Sequence, residues 1–242
     1  MALALGLPSP AAAGPLDKLR HGLLGDHSSD GRQSSTPVVA RYVSEDGDVF
    51  TLDRSQPRPL LKFENTGEVW VLRPQPASRG DIIFKNEVGE PLLRATRLGG
   101  MTLFTDHRPE GEAAAFLGPA APLHITVLSP QTLSVRLLQA SIHVGHLLHH
   151  TVVFEAEDIS PASSGLVADA ALVTTLAVER SVDKPEAQGF LARLKRVFMI
   201  EGHKPSAQFD PTGTLTITLA PDQGVAGRPS SDRIIRIAET FR

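Results

Sequence analysis

The sequence predicts an α+β fold: an antiparallel β-meander followed by a three-helix layer and a C-terminal β-hairpin. Two changes of period carry that prediction. Between residues 38 and 104, short alternating runs of apolar and polar residues are separated by turn residues, the pattern of half-buried antiparallel strands. From Ser129 onward, apolar residues recur at spacings of three and four, the period of a helix face.

In chain order, runs 38–43 and 49–53 flank Asp46-Gly47, a dipeptide that favours a tight hairpin. Runs 60–63, 69–72, 81–85, 92–97 and 101–104 follow, broken at Asn65-Thr66-Gly67, residues 74–80, Val88-Gly89 and Gly99-Gly100. Such short strands suit a curved sheet or partial barrel. A Gly-, Pro- and Ala-rich connection covers residues 109–122. Ser129-Pro130 then reads as N-cap and first helical residue, since proline loses no hydrogen bond there. Leu133, Leu137, Ala140, Ser141, Val144 and Leu148 form the apolar stripe of that first helix. Ser160-Pro161 opens a second helix, carrying Leu166, Ala170, Val173 and Ala177. A third starts at Asp183, with Glu186 completing a capping box, and is lined by Phe190, Leu194, Val197 and Phe198 up to a stop at Gly202. Phe209, Pro211-Thr212-Gly213 and run 214–219 read as a hairpin, and residues 232–241 fit either a helix face or a β-branched strand. The expected organisation is one domain over residues 38–242, with the meander at 38–104, the helical layer at 129–202 and the hairpin and C-terminal segment at 207–242.

Residues 1–13 look like a secretory signal cut short at its start: an apolar run at 2–7, then Ala11-Ala12-Ala13, which fits the small-residue cleavage pattern. Residues 14–37 hold Gly, Ser, Asp, Gln and Pro without a sustained period, the composition of a flexible leader. The expected location is therefore periplasmic or secreted; the alternative is a cytoplasmic protein with an Ala/Pro-rich tail.

Composition narrows the functional classes. With 24 basic and 27 acidic residues the net charge is −3, which argues against a nucleic-acid groove. No apolar run approaches the roughly 20 residues of a membrane-spanning helix. The absence of cysteine excludes disulfides, thiol nucleophiles and cysteine-ligated metal. Neither G-x-x-x-x-G-K-[ST] nor G-x-G-x-x-G occurs, and no cofactor is expected.

The most pointed local feature is the histidine-rich end of the first helix. His143, His146 and His150 fall on one side of it at about 100° per residue, where Arg136 and Gln139 also lie. Three imidazoles on adjacent turns make a candidate site for zinc, copper or nickel. Yet no Asp or Glu lies between Ser129 and Phe154 to complete it, so a solvated polar face is the competing reading. Ser181 and Lys184 match S-x-x-K, but the pair straddles a helix start, K-T-G is absent, and Arg233 follows Ser231-Asp232 where that class needs Asn. The carboxylate groups Glu45/Asp46/Asp48 and Glu155/Glu157/Asp158 sit in expected turns, where solvated acids are the default. No catalytic residue emerges. The sequence points to a non-enzymatic protein that binds an unknown protein partner or small-molecule ligand, with a metal-dependent protein built on the histidines as the alternative.

The strings Arg79-Gly80-Asp81-Ile82-Ile83, Gly89-Glu90-Pro91-Leu92-Leu93-Arg94, Thr96 through Phe104, and Pro161-Ala162-Ser163-Ser164 resemble an uncharacterised family of exported alphaproteobacterial proteins, a domain of unknown function. The resemblance implies export and a single domain, and carries over no site residue. If residues 1–13 are a processed signal, protein isolated from its native host begins at or near Gly14 by N-terminal sequencing; an intact Met1 on cytosolic protein would refute export.

Overall fold

Nine short strands build the first half of the structure: β1 Val39–Ser44, β2 Val49–Asp53, β3 Leu60–Phe63, β4 Val69–Val71, β5 Arg73–Pro76, β6 Ile82–Lys85, β7 Pro91–Ala95, β8 Met101–Thr105 and β9 Arg108–Pro119. The computed structural model that shows them describes residues 37–241. The expected signal (1–13) and all of the expected leader but its last residue lie outside that range. The strands form one antiparallel sheet in the order β4-β3-β2-β1-β9-β8-β7-β6-β5. Its two ends, β4 and β5, are separated in the chain by Leu72 alone. One short stretch therefore pairs with β3 by its first half and with β6 by its second, and the meander nearly closes into a barrel. Near-closure leaves few unpaired backbone groups, which an open edge would expose.

The period-two pattern explains the interior. Ala40, Tyr42, Phe50, Leu52, Leu61, Leu72, Phe84, Leu93 and Leu103 point inward and pack into one apolar cluster. Two segments read from sequence as connections are strands. Residues 109–122 lack large alternating residues, yet most of them belong to β9, the strand that joins β8 to β1. Pro74 and Pro76 hid β5, which is exposed throughout and pairs along one side with β6, a position where proline removes no ladder bond on the open side. Two of the strings that carry the resemblance meet here: Arg94 on β7 donates to Asp81 through Nε (2.9 Å) and Nη2 (2.5 Å). That hydrogen bonding holds the Asp81 carboxyl below the usual carboxylate range.

The second half contains helices α1 Pro130–Leu148, α2 Ser164–Glu179, α3 Gln188–Arg193 and α4 Ser231–Thr240 with strands β10 Val153–Ala156, β11 Arg196–Glu201, β12 Ser206–Phe209 and β13 Thr214–Leu219. These strands form a mixed sheet, β10-β11-β13-β12, parallel except for β12. The expected hairpin is present as β12–β13, its turn fixed by Asp210 Oδ1, which accepts from Thr212 N (2.9 Å) and Thr214 N (3.0 Å). Its place in a four-stranded sheet was not expected. Val197 and Phe198 do not line a third helix. They lie in β11, where burial alternates along the strand, and α3 ends at Arg193. The ambiguous C-terminal segment is α4, started by Ser230, whose hydroxyl accepts from Arg233 N, with Ile234, Ile235 and Ala238 buried. Helix α2 with its leading turn, Pro161–Glu179, is long and apolar enough to cross a membrane, but most of it is buried against the other elements. Being apolar on nearly every side, α2 shows little of the amphipathic signature of a surface helix.

The two halves belong to one compact unit, Ser34–Arg242. They meet at a buried polar joint. Arg228, whose side chain is 1% exposed, donates through Nε to Asp169 on α2 (2.6 Å) and through Nη2 to the Val69 carbonyl on β4 (2.9 Å). Its Nη1 lies 3.5 Å from Glu68, the residue that leads into β4. Glu68 accepts from the Ser231 N–H (3.0 Å) and hydroxyl (2.5 Å), so a barrel carboxylate caps the first turn of α4. Glu87, in the β6–β7 turn, accepts from Ser230 N (2.8 Å) and Arg233 Nη1 (2.6 Å).

Burial pushes the Glu68 carboxyl up, against the opposing pull of Arg228 and Ser231. A raised acid contributes stability that is complete below the ordinary carboxylate range and is lost as pH rises through the raised value. Arg228→Met leaves that carboxylate buried without its counter-charge and is expected to cost about 3–5 kcal/mol in urea unfolding. The loss should be larger at about pH 8 than at about pH 5, where Glu68 can take up a proton. A cost that does not change with pH would show that Glu68 is not the group left exposed to the loss.

Candidate functional site

A groove of about 760 Å³ runs between α1 and α2, beneath the barrel strands β3 and β4. The sequence places its parts. On α1, Arg136, Gln139 and His143 follow at three and four residues, so they share one wall, with Ala140 beside them. On α2, Ala168, Leu172, Thr175, Leu176 and Glu179 form the facing wall. Ile125 and Leu128 line it from the connection leading into α1, and Lys62 and Val69 line it from the barrel.

Specific contacts hold the groove in shape. Leu123 N donates to Asp53 Oδ2 (2.8 Å), fixing the connection to the barrel. Leu128 N donates to Ser164 Oγ (2.8 Å), fixing it to the start of α2. At Gly165 a Cβ would stand 2.2 Å from the Thr126 carbonyl oxygen, so only glycine lets the connection lie across the first turn of α2. At the far end His143 Nε2 donates to Glu179 Oε1 (2.5 Å), linking α1 to α2.

These pairings determine the charge that faces the groove. Asp169 is engaged by Arg228 and Glu179 by His143. Among the described residues no carboxylate pairs with Lys62 or Arg136. The walls are thus apolar along their middle, with two uncompensated cations. Such a site can desolvate a hydrocarbon body and attract an anionic group.

The three candidate histidines are dispersed. Helix α1 ends at Leu148, and His149 follows in the left-handed conformation (φ 58°), which turns the chain away before His150. His150 is half-buried, its Nε2 donating to the Leu194 carbonyl (2.7 Å), while His146 is exposed. Among the described residues no group of three or more His, Asp or Glu is arranged to hold a metal ion, and the candidate trio His143, His146 and His150 is not brought together. The helical spacing that groups His150 with His143 and His146 runs two residues past the true end of the helix at Leu148. The side chains of the S-x-x-K pair are engaged elsewhere: Ser181 donates to the Ala177 carbonyl (2.7 Å) and Lys184 to Glu239 (2.7 Å). In the two acidic groups, Asp46 is paired with Arg108 and Glu155 with Arg196.

Sequence reasoning found the α1 wall through the Arg136/Gln139/His143 face. It missed the α2 wall, because an apolar helix offers no face to read, and it missed Lys62, whose position depends on long-range packing. The stripe on the other side of α1 stands as expected, with Ala140 and Val144 buried and Leu133, Leu137 and Leu148 packed against the core.

The chain matches, over residues 18–238, a family described as a domain of unknown function (DUF4908), and it belongs to that family. No curated protein and no solved structure matches it.

The two faces of α1 should respond differently to truncation. Val144→Ala, at 0% exposure, is expected to cost about 2–3 kcal/mol in denaturant unfolding. His143→Ala breaks only a half-exposed pair and should cost less than about 0.5 kcal/mol.

Proposed function

We propose that the protein is a non-enzymatic binding protein of the cell envelope, whose α1–α2 groove takes an amphipathic small molecule bearing an acidic group. One observation carries the reading: an apolar groove of ligand size with Lys62 and Arg136 on its walls and no carboxylate paired to either among the described residues. An acidic group placed against both cations would keep its charge while its apolar body leaves water, and charge-assisted hydrogen bonds to Arg136 would fix its orientation. Thr175 donates its hydroxyl proton to the Ala171 carbonyl (3.0 Å), which leaves that side chain in a structural role. Export rests on the signal-like residues 1–13 and on the leader composition of residues 14–37.

Decanoate is a direct probe, with decanol as the uncharged match. Titration calorimetry should show decanoate binding that decanol cannot equal, and the Lys62→Gln/Arg136→Gln variant should lose about tenfold or more in affinity. Gln139→Trp, which fills the groove from an exposed helix position, should abolish binding without lowering the melting temperature. Equal binding of decanoate by wild type and both variants would overturn the assignment.

A further inference from the structure

A second cavity, of about 240 Å³, lies where the barrel meets the C-terminal half, and its charge differs from that of the groove. Five cations line it: Arg58, Arg73, Lys204, Arg228 and Arg233. Glu87 is the carboxylate in its wall, and it is committed to Arg233 and to the Ser230 N–H. Arg228 is neutralised from behind by Glu68 and Asp169. Arg58, Arg73 and Lys204 have no carboxylate partner among the described residues. They come from three separate elements: the β2–β3 connection, the first residue of β5, and the β11–β12 connection.

The backbone sets this convergence. Arg73 follows Leu72, where the barrel strand changes partner from β3 to β6, so its side chain stands at the barrel rim. Facing it, the turn Pro221–Gly227 closes on itself through the Ala220 N–H donating to the Gly227 carbonyl (2.8 Å). A Cβ at Gly227 would stand 2.0 Å from the Ala220 carbonyl oxygen, so the closure requires glycine. The closed turn places Gln223 in the wall of the same cavity, with one amide N–H donated to the His203 carbonyl (3.4 Å) and the other uncommitted among the described residues. Bringing three like charges to one opening costs energy in the empty protein, and an anion bound between them would relieve it.

We propose that this cavity binds the phosphoryl group of a small phosphate monoester. Arg58 and Arg73 take phosphoryl oxygens with their guanidinium forks, Lys204 acts as a point charge, and Gln223 supplies a neutral donor. Guanidinium forks match phosphate geometry, and the volume leaves room for a small substituent beyond the phosphoryl group. No residue of the α1–α2 groove takes part, so this inference and the groove reading fail or stand separately.

The test is calorimetric titration of the full chain with inorganic phosphate and with glycerol 3-phosphate at constant ionic strength, with succinate as the carboxylate comparison. The expected result is saturable binding of both phosphates that is weakened about tenfold or more in Arg58→Gln/Arg73→Gln and unchanged in Lys195→Gln, an exposed cation elsewhere. Without ligand, neither variant should melt below the wild type, and the double variant should melt slightly higher as its like charges are removed, so that loss of binding is not loss of folding. Non-saturable heats, equal binding by the double variant, or tighter binding of succinate than of either phosphate would overturn the proposal.

Discussion

Everything else in the structure depends on the enclosed guanidinium of Arg228. It bonds to α2 through Asp169 and to the barrel through the Val69 carbonyl, and lies against Glu68, which caps α4. An isolated buried charge would be prohibitively costly, so the arginine and its two acids are stable only as a set. That requirement ties three elements from distant parts of the chain into one arrangement. It also makes the barrel supply a ligand to the helical half: Glu68 and Glu87 occupy the first turn of α4, where the helix dipole favours negative charge.

The joint has consequences on both sides of it. On one side it consumes Asp169, which leaves Lys62 and Arg136 as the uncompensated charges of the groove. On the other it commits Glu87 to Arg233, which leaves Arg58, Arg73 and Lys204 uncompensated at the smaller cavity. At both candidate sites these cations face the opening without a carboxylate partner among the described residues because the nearby acids are engaged elsewhere, Asp169 and Glu87 at the joint and Glu179 with His143.

The sequence carries the local half of this account. Strand positions with strict alternation, such as Phe50 and Leu52, were legible, as were the Ser129-Pro130 helix start and the Arg136/Gln139/His143 face. What was hidden depends on pairing between distant residues. Strand β9 has small side chains that show no alternation, and β5 contains two prolines, so only the closure of the barrel reveals either. The run 196–201 follows a true helix and its apolar spacing extends that pattern, although Val197 and Met199 alternate inward from a strand with parallel neighbours. The Ser231-Asp232-Arg233 string resembles a catalytic motif with Arg in place of Asn, yet in the fold it receives Glu68, Asn86 and Glu87 from the barrel.

The central claim is that the joint makes the barrel and the helical half a single cooperative unit. Trp70, the one tryptophan, sits on β4 and reports on the barrel, whereas far-UV circular dichroism is dominated by the helices of the other half. Urea unfolding followed by both signals on one sample is the most direct measurement. The account predicts coincident transitions with a common midpoint and slope. A tryptophan transition separated from the helical one would contradict it, since the two halves would then unfold as independent bodies.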